Sequence, residues 1–315
     1  MLQNPELANA VNAVLAASLV CREVQRRLVE GVSLEKGDKS PVTVADFASQ
    51  AVISHMLGDA TPLVGEEDAA LLRENPDMAE KVVACVRSVL PDISGDDVLA
   101  AIDRGTHAGG ATGRFWVLDP IDGTKGFLRM DQYAVALGLV EDGVPVMGVL
   151  GCPNLDGGLL FIASKGQGCM QRSLDDDTLR PAGVDGVADL TAARFCESVE
   201  SGHSRHDHAA QIAGRLGITT EPYRIDSQCK YAAVARGDAS IYLRLPTRKD
   251  YVERIWDHAA GWMVVTEAGG VVTDVTGKPL DFSLGRGLEA NKGVVVTNGA
   301  FHNEVITAVR AVLEM

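Results

Sequence analysis

Two stretches near the start of the chain repeat their apolar residues at helical spacing. The first follows Asn4-Pro5, a pair typical of a helix start. Its apolar positions are Leu7, Val11, Val14, Leu15, Val24 and Leu28. This spacing predicts a long amphipathic helix ending near Glu30. A second helix is predicted from Thr43 to Leu57.

Short apolar runs bounded by turn residues follow, and they predict strands. In the first half of the chain these runs cover residues 61–64, 115–118, 134–140, 144–150, 158–163 and 168–171. A Glu-Asp-Gly turn at 141–143 joins two of them, which predicts a hairpin. Residues 76–90 are amphipathic and predict another helix.

Strands and helices alternate in the second half of the chain. The predicted strands are 193–196, 239–243, 271–274 and 294–297, and the predicted helices are 209–216, 256–268 and 303–313. Residues 173–190 lose periodicity and gain Asp, Gly and Pro, which is typical of a connection. The pattern predicts a mixed α/β protein with domains at 1–185 and 186–315.

The charge and composition of the chain indicate which partners and which cellular location to expect. The chain has 315 residues and a net charge of −14 without a basic block, which disfavours a nucleic-acid polymer or an anionic membrane. The sequence shows no apolar run near the length of a membrane span and no basic start of a signal peptide, so a cytoplasmic protein is expected. Six scattered cysteines without a C-x-x-C pair predict reduced, buried thiols.

The candidate chemistry centres on residues 115–129, FWVLDPIDGTKGFLR. An apolar strand should deliver Asp119 to its end, and Asp122-Gly123-Thr124 should enter a short helix. Two carboxylates brought together there repel unless a proton or cation lies between them. Oxygen ligands alone favour Mg²⁺ over zinc. The alternative is an Asp-rich turn that binds no ion.

Three further acids lie where predicted elements meet, and each has a purely structural alternative. Asp46 follows Thr43 at the spacing of a capping box. Glu66 belongs to an acidic turn that could simply be solvated, and Asp257 could cap the helix that follows it. Together with Asp119 and Asp122, these acids predict a site for two or three divalent ions, which suits phosphoryl chemistry.

Three motifs carry a family resemblance. Gly65-Glu66-Glu67, D-P-I-D-G-T at 119–124 and W-D-H-A-A-G at 256–261 resemble the lithium-sensitive, magnesium-dependent phosphatase superfamily. That group includes inositol monophosphatases, fructose bisphosphatases and bisphosphate nucleotidases. The Lys125-Gly126-Phe127 triplet and the segments 39–46, 227–231 and 242–244 are most similar to the nucleotidases.

The resemblance implies a layered α/β/α/β/α sandwich of the inositol monophosphatase type. It also implies roles for single residues. The implied metal ligands are Glu66, Asp119, the Ile121 carbonyl, Asp122 and Asp257. Asp46 and Thr124 would orient and deprotonate the attacking water. The implied substrate contacts are Gly123, Thr124, His203, Ser227, Lys230 and Arg244.

The implied activity is Mg²⁺-dependent removal of the 3′-phosphate from 3′-phosphoadenosine 5′-phosphate, inhibited by Li⁺. The related phosphosulfate is a further possible substrate. The expected partner is a small nucleotide, and the expected state is a monomer or homodimer. Three alternatives stay open. They are an inositol phosphate phosphatase on the same scaffold, a catalytically silent sensor of nucleotide and metal, and an acidic structural protein whose carboxylates are only caps.

Overall fold

The fold is built on two sheets. The computed structural model describes residues 1–29, 40–199, 206–246, 248 and 250–315. The first sheet has seven strands in chain order: β1 (Leu63–Gly65), β2 (Arg114–Asp122), β3 (Ala134–Glu141), β4 (Val144–Cys152), β5 (Leu159–Ser164), β6 (Cys169–Ser173) and β7 (Arg180–Ala182). The β1–β2 pair is parallel and the other pairs are antiparallel.

The second sheet has five strands in the order β11-β12-β10-β8-β9. They are β8 (Phe195–Glu197), β9 (Tyr223–Arg224), β10 (Ile241–Arg244), β11 (Val271–Thr273) and β12 (Val294–Thr297). The helices among them are α7 (His206–Leu216), α8 (Cys229–Ala235), α9 (Ala259–Glu267) and α10 (His302–Val312).

The layers stack as the family resemblance implies. One face of the first sheet packs against α1 (Pro5–Val29) and α2 (Ser40–Leu57). Its other face packs against α9, which lies with α8 between the two sheets. Helices α7 and α10 cover the far side of the second sheet. The layered α/β/α/β/α sandwich is therefore confirmed.

Helix α9 approaches the first sheet unusually closely, over a pair of glycines. Gly138 on β3 lies opposite Gly148 on β4. A Cβ atom at Gly138 would lie 3.0 Å from the Cβ of Ala259, and one at Gly148 would lie 2.8 Å from the Ala260 carbonyl oxygen. Because neither glycine has a side chain, the sheet has a shallow groove at this pair, and the start of α9 packs into it.

Several boundaries differ from the predictions. Helix α2 begins at Ser40, so Thr43 is not its cap and the predicted capping box at Asp46 is wrong. Residues 70–74 and 95–103 form two unpredicted helices, α3 and α5, and α4 covers Pro76–Val86. Strand β7 lies inside the predicted connection at 173–190.

Helix α1 has the length and apolar composition of a membrane-spanning helix. Residues Pro5–Leu28 are long and apolar enough, by length and composition, to cross a membrane, so the expectation that no apolar run approaches that length is wrong. More than half of this stretch is buried, and Leu7, Val14 and Cys21 lie in the first hydrophobic core. Helix α1 is therefore a core helix of this fold.

The predicted thiol chemistry is confirmed, because all six cysteines are free and buried. The domain division at residue 185 stays a prediction. The strands of the two sheets lie on either side of it, but one hydrophobic core contains residues from both parts, including Ala136 and Val264.

Candidate metal and phosphate site

A β-bulge in β2 brings Asp119 and Asp122 to the same side of the first sheet. Side chains alternate along a strand, so residues three apart would normally face opposite ways. Asp119 lies opposite Ala136 and Asp122 opposite Ala134, and the register shifts between them. Asp122 is three residues after Asp119 on β2, but their partners Ala136 and Ala134 are only two residues apart on β3. The one extra residue on β2 therefore turns both carboxylates to the same side of the sheet. Ile121 lies within this bulge.

Glu66 reaches the same place because β1 and β2 run parallel. Gly65 lies opposite Leu118, so Glu66 and Asp119 leave the adjacent ends of the two strands. A Cβ atom at Gly65 would lie 2.6 Å from the Gln50 Oε1 atom, so the Gln50 side chain would have to shift to admit one. The parallel pairing thus explains why two distant acids meet.

Helix α2 fixes both acidic turns with one of its faces. Ser49 Oγ donates to the Pro120 carbonyl at 2.9 Å. The Gln50 side chain accepts from the Glu67 N–H at 3.1 Å and donates to the Glu67 carbonyl at 2.6 Å. Asp46 precedes these residues by one helical turn and shares their face. It therefore lies beside the acids, and burial together with Glu67 and Glu66 raises its pKa.

Asp257 joins the cluster from the second half of the chain. It lies in a 3₁₀ turn, Ile255–Asp257, and α9 begins after it at Ala259. His258 occupies the cap position and the helix has no side-chain cap, so the alternative reading of Asp257 as a helix cap is wrong. The carboxylate instead accepts a hydrogen bond from Arg244 Nη2 at 2.8 Å.

The acids repel one another strongly enough to show in their pKa values. Burial, Glu66, Asp122, Asp257 and Asp46 all raise the pKa of Asp119. Burial and Asp257 raise the pKa of Asp122 to about 6. Loss of hydration in the cleft, with Asp257, Glu67 and Asp122 nearby, raises the pKa of Glu66 to about 8, although its side chain still faces the open cleft.

These acids fit a hard divalent cation. Asp119 is 2 % exposed, and its Oδ1 atom has no hydrogen-bond partner among the described residues. A buried carboxylate oxygen without a partner is costly unless positive charge compensates it. Oxygen donors of this kind are the ligands of Mg²⁺. The Ile121 carbonyl as a ligand and the number of ions stay predictions.

Glu253, Asp257 and His258 form another group with closely spaced ligand atoms, all within 4.8 Å of one another. Arg244 Nη2 already lies 2.7 Å from Glu253 and 2.8 Å from Asp257. His258 is occupied by Tyr231 and Glu253. The Arg244 guanidinium therefore already supplies the positive charge between Glu253 and Asp257 that a metal ion would otherwise supply.

A cavity of about 470 Å³ opens beside Asp122 and Asp257. Gly123, Thr124, Ser227, Lys230 and Arg244 all line it, and their contact with a substrate stays a prediction. Ser198, Asp226, Gln228, Tyr242 and Tyr251 complete much of its wall. His203 lies outside the described residues.

The two main walls of the cavity touch at Gly123 and Ser227. Gly123 has a φ of 94°, and a Cβ atom there would lie 2.7 Å from the Ser227 Cβ. Lys230 lies deeper, with its Nζ atom 5.3 Å from the centroid of the Tyr242 ring, and burial lowers its pKa. Thr124 begins the short helix α6 (Thr124–Leu128), and its side chain is exposed to the cavity.

Sequence reasoning missed Gln228, which bridges the two halves of the site. Its backbone N–H donates to Asp122 Oδ2 at 2.5 Å. Its side chain donates to the Trp256 carbonyl at 2.9 Å and accepts from the Gly261 N–H at 3.1 Å. Gln228 thus connects Asp122 to the turn that carries Asp257. Gln228 lies between two predicted substrate-contact residues, Ser227 and Lys230, and this position in the sequence could have indicated its role.

Arg286 was also missed, and no local sequence pattern points to it. Its guanidinium donates to the Gly105 and His107 carbonyls, both at 3.1 Å, and to the Gly65 carbonyl at 2.5 Å. It also lies 4.8 Å from the centroid of the Trp256 ring. Arg286 therefore joins the turn before Glu66 to the turn before Asp257.

In the metal-free protein we expect the free energy of unfolding to fall as pH rises between about 4 and about 8. The folded-state pKa values of Asp122 (about 6) and Glu66 (about 8) exceed the ordinary carboxyl values, so the folded protein binds more protons than the unfolded chain. Stability is full below the ordinary values and is lost as each acid ionises. Urea unfolding in chelator at several pH values measures this trend. Mg²⁺ should abolish it, and stability that rises with pH in chelator would contradict it.

Comparison with known proteins places the chain in a family. The family model described as "Inositol monophosphatase family" matches residues 3–314. A 3′(2′),5′-bisphosphate nucleotidase of Schizosaccharomyces pombe is 44 % identical over 332 residues, covering 96 % of this chain and 94 % of that protein. A nucleotidase of the same name from Oryza sativa is 43 % identical, covering 97 % of this chain and 93 % of that protein.

Solved structures agree in fold. The extragenic suppressor protein suhB of Bartonella henselae has a TM-score of 0.66 at 21 % identity, covering 98 % of this chain and 99 % of that one. CysQ of Bacteroides thetaiotaomicron, described as a bacterial member of the inositol monophosphatase family, has a TM-score of 0.62 at 20 % identity, covering 92 % and 96 %. By its nearly full-length match, the chain belongs to the inositol monophosphatase family.

Proposed function

We propose that this chain is a Mg²⁺-dependent phosphatase that removes the 3′-phosphate of 3′-phosphoadenosine 5′-phosphate, giving AMP and phosphate. The observation that carries the proposal is the position of the unpartnered Asp119 oxygen within five acids, beside a cavity whose wall carries Lys230 and Arg244. Relatives 43 % and 44 % identical bear the name 3′(2′),5′-bisphosphate nucleotidase, which supports the same substrate class.

Glu66, Asp119, Asp122 and Asp257 would hold the metal. A divalent cation bound there supplies the positive charge that lets a phosphate approach carboxylates and that stabilises the departing ribose oxygen. Metal dependence is a property of this family, and the identity of the ion as Mg²⁺ and the number of ions belong to the proposal.

Asp46 and Thr124 are proposed to position and deprotonate the attacking water. Asp46 lies beside Glu66 and Glu67, and its raised pKa makes it a better proton acceptor than an ordinary aspartate. The Thr124 hydroxyl can accept a hydrogen bond from water and donate one to a carboxylate. The N–H groups of Gly123 and Thr124, at the start of α6, are proposed to hold the reacting phosphate.

The rest of the cavity favours a substrate with a second phosphate. Lys230 and Arg244 line it together with Ser227, and they offer fixed charge and hydrogen bonds to a phosphate that is held but not cleaved. Leu128 and Tyr251 also line the cavity and are partly exposed, at 39 % and 42 %, so they offer apolar surface to a base. An inositol monophosphate would leave both features unused.

A substrate panel tests the proposal. We expect a higher kcat/KM for 3′-phosphoadenosine 5′-phosphate than for 3′-AMP or inositol 1-phosphate, because those two compounds lack a second anionic group for the cationic wall. The panel also holds 3′-phosphoadenosine 5′-phosphosulfate, 3′-AMP and inositol 1-phosphate, with released phosphate as the readout. Chelator should abolish turnover and Mg²⁺ should restore it.

Two outcomes would replace the proposal. Equal or faster turnover of inositol 1-phosphate would favour the inositol phosphatase reading. Nucleotide binding in calorimetry without phosphate release from any compound would favour a silent sensor. The small-molecule partner, the monomeric or homodimeric state and the cytoplasmic location remain part of the proposal.

A further inference from the structure

Glu253 is a buried carboxylate that no step of the proposed reaction uses. Its side chain is only 6 % exposed. Burial alone would raise its pKa, but Arg244 and His258 outweigh that effect and lower the pKa to about 2. A buried charge costs free energy unless its partners are well placed. The position of Glu253 therefore needs an explanation beyond packing.

One nitrogen of Arg244 is shared between two carboxylates. Its Nη2 atom lies 2.7 Å from Glu253 Oε2 and 2.8 Å from Asp257 Oδ2. Asp257 is a proposed metal ligand, and Arg244 would be repelled by a divalent cation bound to it. The contact between Arg244 and Asp257 would weaken in that state. Glu253 would then be the carboxylate that still holds Arg244.

His258 and Tyr231 support the Glu253 side chain in addition to its contact with Arg244. His258 is 0 % exposed, and its Nε2 atom lies 3.3 Å from Glu253 Oε2. The other ring nitrogen lies 2.7 Å from the Tyr231 hydroxyl. The Tyr231 ring in turn packs on Gly261, where a Cβ atom would lie 2.5 Å from the ring. These contacts favour the present position of Glu253 even if Arg244 moves.

We propose that Glu253 is a positioning residue that keeps Arg244 directed at the cavity when a cation occupies the acids, and that it thereby sets the preference for substrates with a second phosphate. This inference rests on the proposed function, because it assigns Arg244 to the phosphate that is not cleaved. Glu253 itself does not line the cavity, so it acts through Arg244.

Equilibrium binding to Glu253→Gln tests the inference. In saturating Mg²⁺, we expect calorimetry to show about a tenfold loss of affinity for AMP, which carries the 5′-phosphate, with adenosine unchanged. In kinetics, the KM for 3′-phosphoadenosine 5′-phosphate should rise about tenfold, while kcat/KM for 3′-AMP stays the same. Glu267→Gln is the matched control, since that carboxylate binds the Gly166 and Gly168 N–H groups instead.

A double-mutant cycle separates positioning from a general structural role. Arg244→Lys should lose the same preference for AMP, and adding Glu253→Gln should cost little more, because the two residues act as a unit. Equal losses for AMP and adenosine, additive effects in the cycle, or an unchanged AMP preference would each overturn the inference.

Glu253→Asp replaces the variant if Glu253→Gln does not fold, and the same AMP-specific loss is expected because the shorter side chain withdraws from Arg244.

The binding comparison also tests the inference about Glu253 separately from the proposed function. A wild-type protein that binds AMP better than adenosine but does not hydrolyse 3′-phosphoadenosine 5′-phosphate would refute the proposed function alone. The Glu253 variants would still decide the inference.

Discussion

Asp122→Asn should lower kcat about a thousandfold while leaving the fold intact. Asp122 follows the bulge on the same side of the sheet as Asp119 and lines the cavity, so its charge is placed where a cation and a phosphate would meet. Its raised pKa of about 6 shows that the metal-free fold disfavours the ionised form. A neutral amide should therefore make the metal-free protein at least as stable at pH 8, and its oxygen can still accept from the Gln228 N–H.

Phosphate release and urea unfolding on the same preparation measure the two effects. Asp176→Asn is the matched control, because that aspartate only caps an exposed turn at Thr178 and should change neither quantity. Turnover near the wild-type value in Asp122→Asn would contradict the metal assignment. Loss of both stability and activity would show that Asp122 is needed for folding instead.

Gly148→Val should destabilise the fold by about 3 kcal/mol and should lower activity as well. A Cβ atom at Gly148 would lie 2.8 Å from both the Ala260 carbonyl oxygen and the Met263 Cβ. Neither is the end of a flexible side chain, so α9 has to move away from the sheet. Asp257 lies just before α9, so the displacement would reach the acids.

Denaturant midpoints and the Mg²⁺ concentration for half-maximal activity measure this effect. We expect the Mg²⁺ requirement to rise in the molecules that still fold. Gly186→Val is the control, since a Cβ atom there meets nothing within 4 Å. A variant with wild-type stability would show that the glycine groove does not determine the position of α9.

The regular elements were predictable where one physical signal dominates. Apolar runs predicted β3 and β4 to within two residues, and Asn4 caps α1 as its type and position predict. Strand β2 instead continues four residues beyond the predicted end at Leu118, through the bulge to Asp122. Helix α5 (Gly95–Asp103) was missed although its capping box is present. Ser94 Oγ accepts from the Asp97 N–H at 3.1 Å and donates to the Asp97 carboxylate at 2.6 Å. The sequence analysis predicted no element between residues 91 and 113, so this signal was overlooked.

The site was predictable in its acids but not in its geometry. Carboxylates are visible in the sequence, whereas the bulge after Asp119 depends on the pairing of β2 with β3. Gln50, Gln228 and Arg286 support the acids only through contacts with residues distant in the chain. Local patterns contain no information about such contacts, so these supporting residues became visible only in three dimensions.

The parallel pairing of β1 and β2 has a consequence for the newly made chain. Glu66 and Asp119 can meet only after the intervening helices have crossed over, and Asp257 joins only once the second sheet has formed. N-terminal segments fold first during synthesis. Asp46, Glu66, Asp119 and Asp122 therefore meet once the first sheet has formed, and Asp257 adds its repulsion only after the second half has folded. An N-terminal fragment lacking Asp257 should bind divalent ions poorly.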